Sequence, residues 1–184
     1  LKKTQEELRK RDMLLRMAGE ISHFGGWSVE IPSYTLSWSD EVAAIHEEPA
    51  GFSPTVEKAI NYYAPEYREK IKMVFNLCAT EGAPYDEELE IITAKGNRRW
   101  VRTAGQAERD DKGNIIRVFG SIQDITEKKE AEISARENEE IFFHSFMNHS
   151  AVQLLLDPYD GRIIEANKAA FAFYGYEREK LLGM

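Results

Sequence analysis

The chain has 184 residues, enough for one domain with a sizeable core and a further segment, and 42% hydrophobic with 30% charged residues is an ordinary globular composition. Its 24 basic against 32 acidic residues give a net charge of −8, with no basic block interleaved with aromatics, which argues against nucleic acid as a partner. One cysteine, Cys78, rules out an intrachain disulfide, and the longest apolar runs fall far short of the roughly 20 residues of a membrane span.

Residues 1 to 17 are studded with Lys and Arg where a signal peptide needs an apolar stretch, so a soluble, cytoplasmic chain is expected. From residue 1 to about 21 helix formers dominate, and Leu1, Leu8 and Leu15 recur every seven residues beside Leu14, Met17 and Ile21. Such a stripe suits packing on the helix's own domain as well as it suits a partner; the expectation is a homodimer built by this helix. Gly25-Gly26 is expected to break the pattern. Two short strands are predicted at 27–31 and 35–38, and Ser39 starts a short helix carrying Val42 and Ile45. Residues 53–80 have helical spacing, with Pro54 and Pro65 each placed for a first helical turn. Three strands follow at about 86–93, 98–108 and 115–125, with turns at Lys95-Gly96-Asn97 and Lys112-Gly113-Asn114.

Two strands, helices, then three strands is an α+β order: a five-stranded antiparallel sheet with helices on one face. The last strand stops at Asp124-Ile125-Thr126 and passes into a charged helix, for which Thr126 is the predicted N-cap. Between 126 and 145 there is neither Gly nor Pro, and Ala131, Ala135, Asn138 and Phe142 fall at alternating spacings of four and three. That helix reads equally as a paired seam or as a solvated linker. A partial internal repeat then sets Leu36 on Ile163 and Asp40 on Asn167, an offset of 127 residues.

Gly113, Arg117, Gly120, Asp124-Ile125-Thr126-Glu127-Lys128-Lys129 and Ala131-Glu132 together resemble the C-terminal motif of bacterial PAS sensor domains. The resemblance extends over about 21–132, through Gly26-Trp27, Trp38-Ser39-Asp40 and Arg99-Trp100-Val101, and departs mildly at Tyr63-Ala64-Pro65-Glu66-Tyr67-Arg68. Gly161-Arg162-Ile163-Ile164-Glu165-Ala166-Asn167, with Phe173-Tyr174-Gly175-Tyr176 and Leu181-Leu182-Gly183, resembles the opening of a second PAS domain. It implies a PAS-like sheet flanked by N-terminal and C-terminal helices and divided as follows: helix 1–22, PAS domain 23–126, helical linker 127–148, and the first part of another PAS domain, cut short, at 149–184. The apolar Leu154, Leu156, Ile163, Phe171 and Phe173 of that last segment are expected to need a partner surface, on the first domain or another copy of the chain.

Chemistry is sparse. The four histidines lack any metal-ligand spacing, Cys78 has no neighbouring His or Arg to activate it, and no catalytic triad, nucleotide loop or kinase signature appears. No catalytic residue and no metal site is therefore assigned, and no enzyme activity is expected within these residues. Flavin and haem are both unsupported: nothing matches the cysteine context of the family's flavin-binding branch, and no His lies between His46 and His144. What remains is a cavity between sheet and helices, whose candidate lining is Ile45, Ile60, Phe75, Leu77, Leu89, Ile91, Trp100, Val118 and Phe119. Core packing without a ligand is the alternative for the same residues. The resemblance implies a sensory module that passes a cue, from an unidentified small molecule if there is one, through Asp124, Ile125 and Thr126 into the outgoing helix. It further implies a downstream output domain in the same protein, a histidine kinase or less often a diguanylate cyclase. The contrasting expectation is a dimerisation scaffold that binds nothing small.

Overall fold

The computed structural model describes residues 24–182 and Met184; the predicted N-terminal helix and its dimer seam lie outside these. The described chain separates into two compact units, the first ending at Glu127 and the second beginning at Lys128.

In the first unit, strands β1 (Phe24–Glu30), β2 (Thr35–Trp38), β3 (Tyr85–Ile92), β4 (Arg98–Arg109) and β5 (Ile115–Asp124) form one antiparallel sheet in the order β2-β1-β5-β4-β3. β1 thus lies between its hairpin partner β2, with Trp27 opposite Trp38, and the distant β5, with Trp27 opposite Gly120. Gly25 and Gly26, expected to interrupt the preceding helical pattern ahead of a strand at 27–31, are inside β1, which starts three residues earlier. A side chain at Gly25 would collide with Val42, so the glycine admits the next helix against the strand.

Three helices follow β2. α1 (Asp40–Ile45) is capped by Ser39, whose hydroxyl accepts the Val42 N–H, as its sequence predicts. α2 (Val56–Asn61) is capped by Thr55. Pro54 therefore stands one residue outside the helix rather than in its first turn, because a threonine hydroxyl can satisfy a first-turn amide and proline cannot. α3 (Pro65–Glu81) begins on Pro65 as expected and ends at left-handed Gly82. Its Ile71, Phe75, Cys78 and Ala79 are buried on the sheet with Val42, Ile45, Leu89, Ile91, Val101, Val118 and Ile122. Burying each large member contributes roughly 1.5–3 kcal/mol. Both open edges of the sheet are covered: Ser53 accepts the Trp38 N–H beside β2, and Tyr62 and Ala64 exchange backbone hydrogen bonds with Ile92 and Glu90 of β3.

α4 (Thr126–Asn148) follows β5 at once. Its Ala131, Ala135, Asn138 and Phe142 are all exposed. The second unit then holds the hairpin β6 (Leu154–Leu156) and β7 (Ile163–Ala166), with α5 (Lys168–Tyr174) and α6 (Arg178–Leu181). Ala166, Ala170 and Leu181 make its small core, joined by Leu154, Ile163 and Phe171, so three of the residues expected to need an outside surface find one within the unit; Leu156 and Phe173 stay exposed. The helix caps set the repeat one residue away from the expected offset, since Asn167 caps α5 through Ala170 as Ser39 caps α1 through Val42. Among the described residues no helix is long and apolar enough to cross a membrane.

Candidate functional site

A cavity of about 60 Å³ lies between the sheet and the three helices of the first unit. Strand alternation sends Trp27 and Val29 of β1, Leu36 and Trp38 of β2, Tyr85, Thr103 and Ile122 to the helix side, where Val42, His46, Ala59, Ile60, Tyr63, Ile71 and Phe75 meet them. No Asp, Glu, Lys or Arg lines it.

One wall carries three hydroxyls. Tyr85 lies flat over Gly105, where any side chain would strike its ring, and stacks on Trp27 with ring centroids 6.4 Å apart. The Tyr85 and Tyr63 phenols line the cavity together with the buried Thr103 hydroxyl. Burial pushes the Tyr63 phenol up to about 12 and Tyr85 well above its ordinary value, so both remain protonated donors. Elsewhere on the cavity, His46 stacks on Trp38 at 4.3 Å, and its Nδ1 lies 2.8 Å from the Val42 carbonyl. A carbonyl only accepts, so Nδ1 carries the proton. Burial drives the His46 pKa down to about 4, only partly opposed by that bond, and the ring is neutral at physiological pH.

Beginning at the residue after His46, a chain of polar contacts runs to the start of α4. Glu47, next to His46 and held in the left-handed region at φ 58°, accepts hydrogen bonds from the Thr93 hydroxyl and from Asn97 Nδ2 at 2.8 Å, which hold its carboxyl below the usual range. Its other oxygen lies 3.5 Å from the Arg99 guanidinium, which reaches Asp124 at 3.1 Å. Asp124 Oδ1 accepts both the N–H of Thr126 (2.9 Å) and its hydroxyl (2.6 Å). The Thr126 hydroxyl in turn accepts the Trp100 N–H at 3.0 Å, and buried Ile125 donates its N–H to the Trp100 carbonyl at 2.9 Å. Thr126 is therefore not the helix cap expected of it: its oxygen fastens the helix start to β4, while Asp124 satisfies the first amide.

The candidate lining divides three ways. Ile60 and Phe75 face the cavity; Ile45, Leu89, Ile91 and Val118 are buried in the core around it. Leu77 is 38% exposed on α3. Trp100 and Phe119 alternate with buried Val101 and Val118 and so stand on the opposite face of the sheet, Trp100 against Tyr67 and Phe119 beside Ser28 and Gln106. The polar residues Tyr63, Tyr85, Thr103 and His46 were not among the candidates, nor were Glu47 and Arg99. Alternation from Val101 puts Thr103 and Arg99 on the inner side of β4, a signal present in the sequence; their partners come from distant segments and leave no local pattern. Cys78 is buried in α3 and burial raises its pKa, the opposite of an activated thiol. Among the described residues no group of His, Cys, Asp and Glu could hold a metal ion.

A family model described as "PAS fold" matches residues 35–122, and one described as "PAS domain" matches 141–184. A blue-light-activated histidine kinase of Brucella ovis is 28% identical over 165 residues, covering 84% of this chain and 32% of the relative. The chain thus spans about a third of the length of this curated relative. Of solved structures, a sensory box histidine kinase/response regulator from Burkholderia thailandensis superposes with a TM-score of 0.57 at 21% identity, covering 71% of this chain and 98% of that one. The N-terminal domain of a diguanylate cyclase with PAS/PAC sensor from Marinobacter aquaeolei gives 0.54 at 19%, covering 58% and 98%. The five-stranded antiparallel sheet, the helices on its inner face and the matches over both units have one common origin: the chain belongs to the PAS family of sensory domains.

Proposed function

We propose that the first unit is a cytoplasmic sensory and signal-transmitting module of a multidomain signalling protein, in which a change at the cavity alters the start of α4. The observation that carries this reading is the unbroken series Glu47, Arg99, Asp124, Thr126, which begins beside the cavity residue His46 and ends on the first residue of the helix. Asp124, Ile125 and Thr126 are the coupling residues, Arg99 and Glu47 their connection to the cavity. The kinase name of the Brucella relative favours a sensor histidine kinase as the whole protein, with a diguanylate cyclase as the other output. Self-association through the N-terminal helix belongs to the same reading, and a chain starting at Gly25 should sediment as a monomer; a dimer there would remove that helix from the contact.

The test is Asp124→Ala in the full-length protein. Regulation of output should be lost while the domain stays folded; intact regulation would remove the junction from the signalling path. The small cavity volume favours a second reading, a dimerisation scaffold without a small-molecule ligand. Filling the cavity by Ala59→Leu separates the two, since only a sensor loses its response.

A further inference from the structure

Resting on the sensor reading above, we infer that the cavity takes a compact, uncharged molecule of about four non-hydrogen atoms bearing one hydroxyl or carbonyl, its oxygen held by the hydroxyls of Tyr63, Thr103 and Tyr85.

Three observations fix that class. The first is size. A volume of about 60 Å³ exceeds the on the order of 10–15 Å³ that one water needs and is less than half of the ~150 Å³ that admits benzene. The second is charge. No ionised side chain lines the wall, and an ion placed there would lose its hydration with nothing to replace it. The third is the polar wall itself. Two phenols and a threonine hydroxyl bring three O–H donors and three acceptor oxygens to the wall, and these three groups are the only hydroxyls lining the cavity. An apolar ligand would leave that capacity unused; one oxygen on an otherwise apolar ligand matches it. The least buried part of the wall is α2, which contributes Val56, Ala59 and Ile60 and has no buried residue of its own.

The test is a titration of the full chain with 2-propanol, acetate and xenon, read at the methyl resonances of Val42, Ile71 and Ile122. These probes share a similar bulk and differ in polarity and charge. We expect a saturable shift with 2-propanol, roughly tenfold or more tighter than with acetate. Thr103→Val should weaken 2-propanol by roughly fivefold or more and leave xenon unchanged, while Thr103→Ser keeps the wild-type response. If Thr103→Val does not fold, Tyr63→Phe and Tyr85→Phe carry the same expectation. Equal binding of acetate, indifference of 2-propanol to loss of the hydroxyls, or no saturable shift at any of these methyls overturns the inference. Because the readout lies in the cavity, a bound probe that leaves the first amides of α4 unmoved breaks the coupling reading alone and leaves the ligand class standing.

Discussion

The two units begin alike and finish differently. Each opens with a hairpin and a helix capped by a short polar side chain, Ser39 in one and Asn167 in the other. In the first unit β5 arrives from nearly ninety residues away, Glu30 pairing with Arg117, and Val29 on β1 is left 2% exposed. In the second unit β6 pairs with β7 alone, and Leu156 is 50% exposed. The local pattern builds the hairpin and cap in both places, but only long-range pairing widens the hairpin into a sheet that helices can cover, with a cavity between the two layers. With only a small core, the second unit depends more on polar contacts. Asn167, fully buried, accepts from Gln153 and Ala170 and donates to the carbonyls of His149 and Ala151, whereas Ser39 accepts from Val42 and Gly26 only.

The largest effect should come from closing the gap on which β5 depends. Any side chain at Gly120 would overlap the Ala104 backbone across the β4–β5 ladder, so Gly120→Val should cost the first unit more than about 4 kcal/mol. Chemical denaturation should show this as early loss of Trp27 and Trp38 fluorescence, with amide exchange at Leu154–Leu156 unchanged; an equal loss in both units would deny their independence.

Acid should also tell the units apart. His46 binds its proton only near pH 4 when folded, whereas the unfolded chain takes one up near 6.5. Its contribution is complete above about pH 6.5, drains away as pH falls towards 4, and is flat below, for a total of about 3 kcal/mol. His46→Gln should flatten the stability profile in that window; an unchanged slope would show that His46 is charged when folded.

Asn167→Ala should cost about 2 kcal/mol and only in the second unit, since it leaves a cap and two carbonyls unmet. Faster exchange at Gln153 and Ala170 with no change in β4 is the expected record. The smallest effect belongs to the exposed Asp86–Arg102 pair across β3 and β4. Arg102→Ala should shift stability by less than about 1 kcal/mol, and a larger loss would mean that this edge matters more than its exposure suggests.

What was legible in the sequence follows the same division between local and distant. Strand alternation placed β2 to β5 within a residue or so, and Ser39 announced its helix, because both signals lie within a few neighbouring residues. Gly25 reads only as the end of a helical pattern because the reason for it, the approach of Val42, is tertiary. Hydrophobicity alone points Trp100 and Phe119 to the cavity, although their alternation with Val101 and Val118 puts them on the other face, and it misplaces Leu77 on α3 for the analogous reason. Asp124 and Thr126 were legible as a junction, but Thr126 as a cap was not, since its hydroxyl is claimed by Trp100, 26 residues earlier. Arg99 and Glu47 acquire meaning only once the sheet brings them together.

The most direct test of coupling between cavity and helix is a double-mutant comparison read by amide exchange at the first turn of α4, residues 127–130. Glu47→Ala should change exchange there by roughly threefold or more in the wild-type chain and leave it unchanged in the Asp124→Ala background, because Arg99 is the bridge between them. The same change in both backgrounds, or none in either, would contradict the path from the cavity wall to the helix.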